Sequence, residues 1–106
     1  MTQTGITLRT AENREAKKLY ALIQANLEEG HLLPRTLSEL TVHAERFVVA
    51  VKARKVVGCA ELAPLSPHVA EVRSLAVDEA ARGSRVGVAI VDELRQIGRA
   101  SCRERV

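Results

Sequence analysis

Apolar and polar positions along the chain switch between a two-residue and a helical period, and each switch marks an element. Ile6-Thr-Leu-Arg alternates, as a short strand with one buried face does. Ala16, Leu19, Tyr20, Ile23 and Leu27 then recur at helical spacing, with Thr10 in the expected N-cap position. Gly30 is the expected stop, since glycine tolerates the left-handed conformation just past a helix end. Thr36-Leu-Ser-Glu39 reads as a capping box, in which the Thr oxygen accepts from the backbone N–H three residues on and the Glu reaches back. It announces a second helix with apolar positions Leu37, Leu40 and Ala44.

Residues 46–52 and 56–63 are rich in β-branched and small apolar side chains and predict two strands. Ala53-Arg54-Lys55 between them is short enough for a hairpin, and Pro64-Leu-Ser-Pro67-His68 predicts a loop. Val69–Val77 is a third strong strand, with Glu71, Arg73, Leu75 and Val77 on one face and Val72, Ser74 and Ala76 on the other. After residues 78–85 the helical period returns at Val86, Ala89, Ile90, Leu94 and Ile97. The order β-α-α-β-β-β-α predicts one α/β unit that has not closed its sheet.

Composition narrows the class. A chain of 106 residues is one domain or less. Apolar residues make up 46% of it and aromatics only 2%, so the core must be aliphatic, as suits a Val- and Leu-rich α/β sheet. The formal charge is +3, but residues 97–106 hold three arginines and one glutamate, which leaves the body at +1. The remaining basic residues are dispersed, with no basic stripe and interleaved aromatics, so no nucleic-acid partner is expected. No apolar run approaches the roughly 20 residues of a membrane span. Residues 1–5 carry no signal-peptide pattern, and a cytoplasmic protein without a membrane partner is the default. Cys59 and Cys102 make no disulfide framework or zinc spacing, and His31, His43 and His68 are scattered, so no metal is expected. Cys59, in mid-strand, reads as a small core residue.

The last ten residues, IGRASCRERV, resemble a translated short-read sequencing adapter, which in one frame spells them in order. The helical pattern is expected to break there, at Gly98 and Ser101. This reading puts a domain fragment at residues 1–96, a non-native tail at 97–106 and the natural sequence running past Gln96. A genuine basic tail is the alternative.

The loop Arg82-Gly83-Ser84-Arg85-Val86-Gly87, between a strand and an amphipathic helix, has the chemistry to hold a diphosphate. The first amides of a helix lack an intrahelical acceptor and carry partial positive charge, and successive N–H groups in a turning loop form a concave anion site. Gly83 and Gly87 allow close approach of backbone to phosphate, and Arg82 and Arg85 add charge. A tight structural turn would use the same glycines. The wider segment EVRSLAVDEAARGSRVGVAIVDEL resembles the central motif of the GNAT superfamily, where Arg/Gln-x-x-Gly-x-Gly/Ala follows a strand ending in Leu-x-Val. Leu75, Val77, Arg82, Gly83 and Gly87 match; Arg85 stands where the pattern has glycine.

The resemblance implies a GNAT-like mixed, mostly antiparallel sheet with flanking helices, here truncated before the C-terminal strands. It also implies acetyl-CoA as cosubstrate, without a metal. Its pantetheine arm would pair with backbone at Leu75, Ala76 and Val77, and its diphosphate would lie on residues 82–87, Ser84 and Val86 included. Glu71 would be the base that takes the amine's proton, although it could equally pair with Arg73 or face solvent. The acid for the departing thiolate usually comes from a later Tyr, and Tyr20 is in the wrong place for that.

The stretches Glu29-Gly-His-Leu-Leu-Pro-Arg-Thr36, Gly58-Cys-Ala-Glu-Leu62 and Glu71-Val-Arg-Ser-Leu75 resemble, within that superfamily, the acetyltransferase domain of N-acetylglutamate synthases. The acceptor this implies is L-glutamate, its carboxylates held by Arg35 with Leu33 beside it, and Arg73 as a second candidate. Arg35 could instead be a surface residue beside the Thr36 cap. A homodimer is compatible with the resemblance. Other small amines, protein N-termini, or coenzyme binding without catalysis are the remaining readings.

The strand Val69–Val77 would then be left with an unpaired edge, which favours aggregation. Light scattering should show poor solubility for residues 1–106, and a coupled assay should show negligible turnover. Substantial, saturable glutamate acetylation by this polypeptide would refute the truncation argument.

Overall fold

The computed structural model describes residues 5–27, 34–83 and 85–102. Four strands and three α-helices follow in the order β1 (Ile6–Thr10), α1 (Ala16–Leu27), α2 (Leu37–His43), β2 (Phe47–Lys52), β3 (Lys55–Ser66), β4 (Val69–Val77) and α3 (Val86–Cys102). Single 3-10 turns at Asn13–Glu15, Ala44–Arg46 and Glu79–Ala81 lead into or out of the helices. The sheet runs β1-β2-β3-β4, and every pairing among the described residues is antiparallel. The expected element order and α/β architecture hold, and the four described strands form the antiparallel part of the expected sheet.

Two apolar layers sandwich the sheet. Leu19 and Ile23 of α1 and Leu40 of α2 pack with Phe47, Val49, Cys59 and Ala76 on one face. Val86, Ile90 and Leu94, one stripe of α3, pack with Val48, Ala50 and Ala60 on the other. The register aligns Leu8, Ala50, Gly58 and Val77 in one row across all four strands, under α3. In that row a Cβ on Gly58 would stand 2.8 Å from Ile90 Cδ1 and 2.9 Å from Val86 Cγ1. The missing side chain therefore lets α3 lie directly on the strand.

Several boundaries differ from those the periodicity predicts, for local reasons. Thr10 does not cap α1, because it still pairs with Val48 and the Ala11 amide donates to Phe47 O. The helical turn instead begins after Glu12, whose amide donates to Glu15 Oε1 at 2.9 Å. The Thr36–Glu39 box forms as expected, with Glu39 N donating to Thr36 Oγ1 at 3.0 Å and Thr36 N to Glu39 Oε1 at 2.9 Å. Gly30 lies outside the described residues. The β2–β3 turn uses only Ala53 and Arg54, both left-handed (φ 51° and 67°), and Lys55 already belongs to β3. Pro64, Leu65 and Ser66 extend β3 rather than forming a loop, with Pro64 opposite Ala70. The pairing of β3 with β2 ends at Glu61, so no partner on that side requires the N–H that proline lacks. The break expected at Gly98 is absent, and α3 continues to Cys102. One glycine costs a helix only about 1 kcal/mol, and a Cβ added at Gly98 would meet Leu62 Cδ2 at an ordinary 3.7 Å.

At the sheet's far end, Arg9 Nη1 and Nη2 donate to the two oxygens of Glu15 at 2.8 and 2.7 Å. This bidentate bond, helped by the Glu12 amide, holds the buried Glu15 carboxyl down at about 2 against the usual 4.5, despite its desolvation. A depressed carboxylate contributes stability that is present above pH 4.5 and lost as the pH falls toward 2. Acid titration of wild type against Glu15→Gln, by denaturant unfolding, should show that wild type loses on the order of 2–3 kcal/mol more over that window. Parallel acid profiles would refute the assignment.

Candidate functional site

The site is built around an irregularity in β4. Cys59 pairs with Ala76, but Glu61 pairs with Arg73, so β4 carries one residue more than β3 over this interval. Ser74 takes up the excess at φ 56°, a left-handed value that β-strand residues do not normally adopt. The extra residue reverses the alternation. Glu71 and Arg73 lie beside Ala63 and Glu61 on the α1–α2 face, while Leu75 and Val77 turn to the α3 face. The single face expected for Glu71, Arg73, Leu75 and Val77 is thus split at Ser74, because strict alternation fails across a bulge.

Beyond the bulge, Asp78 accepts from Ala80 N and pairs with Lys55 Nζ at 3.2 Å. The Ala80 amide first, and Lys55 second, hold its carboxyl below the usual range. Arg82 donates from Nε to Val77 O at 3.3 Å and from Nη2 to Asn26 Oδ1 at 2.9 Å, tying the loop to α1. Gly83 and Arg85 are left-handed (φ 89° and 65°), and Arg85 O accepts the first helical bond of α3 from Ala89 N. The amides of Val86, Gly87 and Val88 therefore precede the first residue that can bond within the helix. Ser84 lies outside the described residues.

Two adjoining furrows follow this path. One, of ≈ 330 Å³, lies between Val77, Ala81 and the loop residues Arg82, Gly83, Arg85 and Gly87. The other, of ≈ 440 Å³, lies between Leu75 and the α3 residues Gly87, Val88, Val91, Asp92 and Arg95. Gly87 and Val88 belong to both. Val88, Val91 and Arg95 escaped the sequence reading, although their three- and four-residue spacing beside the buried Val86–Ile90–Leu94 stripe was a usable signal.

On the opposite face, Arg35 is buried to 12% exposure and lies 5.9 Å over the Phe47 ring. Its Nη1 donates both to Glu61 Oε1 at 2.8 Å and to Ser74 Oγ at 2.9 Å. It is therefore no surface residue beside the Thr36 cap. Glu61 is 1% exposed, and Arg46 Nη1 stands 3.8 Å from its second oxygen. Glu71, half exposed, accepts from Arg73 Nε at 2.7 Å. Leu33 lies outside the described residues. Glu61 was the overlooked member, and its signal was a lone carboxylate at an inward position between Cys59 and Ala63. Burial pushes the Cys59 thiol up to about 12, which makes it a poor nucleophile at neutral pH.

A cavity of ≈ 500 Å³ lies elsewhere, between α1 and the β2–β3 turn, and shares only Arg82 with the expected site. Among the described residues no three His, Cys, Asp or Glu side chains gather as a metal site. None of their helices is long and apolar enough to cross a membrane.

Residues 6–106 match the acetyltransferase (GNAT) family. The chain belongs to that family. An amino-acid acetyltransferase of Mycobacterium tuberculosis is 41% identical over 71 residues, 64% of this chain and 41% of that protein. An uncharacterized N-acetyltransferase of Chlorobaculum tepidum is 29% identical over 90 residues, 85% of this chain and 58% of that one. The crystal structure of a Mycobacterium tuberculosis protein in complex with CoA superposes with a TM-score of 0.83 at 33% identity, over 90% of this chain and 58% of that one. N-acetylglutamate synthase from Neisseria gonorrhoeae, complexed with CoA and N-acetyl-glutamate, shares the fold (TM-score 0.86, 24% identity, 94% of this chain and 24% of that one). The chain spans about half the length of the curated relatives it matches.

GNAT chains are expected to have glycine where Arg85 stands, and φ 65° is a conformation glycine adopts without a Cβ clash. Arg85→Gly should therefore raise stability by about 1 kcal/mol, seen as a higher denaturant midpoint at unchanged slope. A lower midpoint would mean that the Arg85 side chain contributes more than its backbone costs.

Proposed function

We propose that the protein transfers the acetyl group of acetyl-CoA to the α-amine of L-glutamate. The observation that carries this reading is the bulge in β4, which sets an anion-suited furrow on one side of the strand and an arginine cluster on the other. The pantetheine arm lies along β4 at Leu75, Ala76 and Val77, and the diphosphate rests on the loop from Arg82 through Gly83, Ser84, Arg85 and Val86 to Gly87. Backbone N–H groups at the bulge polarise the thioester carbonyl. Arg35 and Arg73, with Leu33, hold the carboxylates of the amino acid.

Glu71, oriented by its bond to Arg73, takes a proton from the ammonium. The free amine attacks the carbonyl carbon, the N–C bond forms, the C–S bond breaks to release the CoA thiolate, and the surplus proton on the nitrogen passes to that thiolate. The acceptor assignment is supported by the kinship with an amino-acid acetyltransferase and by the buried position of Arg35 beside the bulge.

Calorimetry with acetyl-CoA tests the first half of the reading and turnover with glutamate the second, both on the full-length gene product. Acetyl-CoA should bind, and Gly87→Asp should weaken binding at least roughly tenfold by setting a carboxylate against phosphate. Glutamate should exceed other amino acids and peptides in kcat/KM, and Arg35→Lys should lower it by roughly 10- to 100-fold, since an ammonium cannot replace a planar fork. Absence of coenzyme binding would overturn the whole reading. Preference for another amine would overturn the acceptor alone.

A further inference from the structure

Three observations converge on Ser74. It carries the left-handed φ of the bulge, its hydroxyl accepts from Arg35 Nη1 at 2.9 Å, and its carbonyl faces Cys59 Sγ at 3.7 Å. Arg35 Nη1 also donates to Glu61 Oε1 at 2.8 Å. Glu61 in turn stands on β3 directly opposite Arg73, at the point where the strands fall out of step. The unfavourable backbone of Ser74 is thus tied through one nitrogen to a carboxylate on the neighbouring strand.

We infer that Glu61 is a positioning residue: through Arg35 it locks Ser74 in the bulge that turns Leu75 and Val77 toward the coenzyme furrow. This rests on the acetyltransferase reading for its function, though not for its geometry. The ion pair is covered, so solvent does not compete with it, and Phe47 confines the guanidinium from one side. Without Glu61, Arg35 keeps only the half-exposed Glu39, 4.0 Å from Nε, which does not aim Nη1 at Ser74. A left-handed serine then relaxes toward regular strand geometry, and Leu75 swings to the wrong face. Glu61 touches neither coenzyme nor acceptor in this account. Its effect passes through Arg35.

The test combines NMR hydrogen exchange at the amides of Ser74, Leu75 and Ala76 with CoA affinity by calorimetry. Glu61→Gln should speed exchange at these amides while the β2–β3 ladder keeps its protection, and should weaken CoA roughly tenfold. Ser74→Ala, which keeps the ion pair and cuts only its bond to the bulge, should give the same local pattern and covers the case that Glu61→Gln fails to fold. Adding Ser74→Gly to Glu61→Gln should restore affinity to within about threefold of wild type, because glycine holds positive φ unaided. A residue that served only global stability would speed exchange throughout the sheet and gain nothing from glycine at 74. Wild-type affinity and exchange in both single variants would overturn the inference. If wild type itself does not bind CoA, the functional reading falls, and the exchange pattern still decides the lock.

Discussion

A carboxylate with almost no solvent contact, on the inner face of a central strand, is tolerable only if a cation is brought to it. Glu61 meets that condition with Arg35, and much of the surrounding geometry follows from the pairing. Arg35 immediately precedes the Thr36 cap, so the start of α2 is fixed over the sheet by the same contact. Its guanidinium covers Phe47 at the strand end, and its second bond reaches Ser74 in the last strand. One charge pair therefore links α2, β2, β3 and β4. Removing either partner leaves the other only a longer contact, Glu61 with Arg46 at 3.8 Å or Arg35 with Glu39 at 4.0 Å.

The α3 side is organised by different physics. There the contacts are aliphatic, the loop conformation is set by left-handed residues at 83 and 85, and the helix begins with amides that have no helical acceptor. An apolar layer with one charge pair set into it thus lies back to back with a wholly aliphatic layer that fixes helix position. The bulge is the place where the two are joined, since Glu71 and Arg73 before it face the first layer and Leu75 and Val77 after it face the second.

What the sequence made legible was whatever depends on neighbours a few residues apart. The Thr36–Glu39 box, the amphipathic stripes of α1 and α3 and the strand–loop–helix motif are all of this kind. The shift of register at Ser74 is not, because it is defined by which residue of β3 lies opposite, and serine at 74 gives no local hint of positive φ. The same holds for Glu61, whose meaning depends on a partner from another element. Thr10 and Pro64 were misread for a related reason: each looked like punctuation, and each is held in a strand by its pairing partner. In the site, the loop glycines were visible in advance, whereas the α3 wall and the Arg35–Glu61–Ser74 arrangement required the fold.

Gly58 carries information by lacking atoms. The depth to which α3 settles on β3 is gauged by that single absent methyl, and Val86 and Ile90 rest against the gap. Val86 is also the first residue of α3, so the gauge reading is passed along a rigid lever to the loop and to the mouth of both furrows. A position with no side chain, in mid-sheet and outside the furrow walls, thereby sets the clearance between two surfaces that do the recognising.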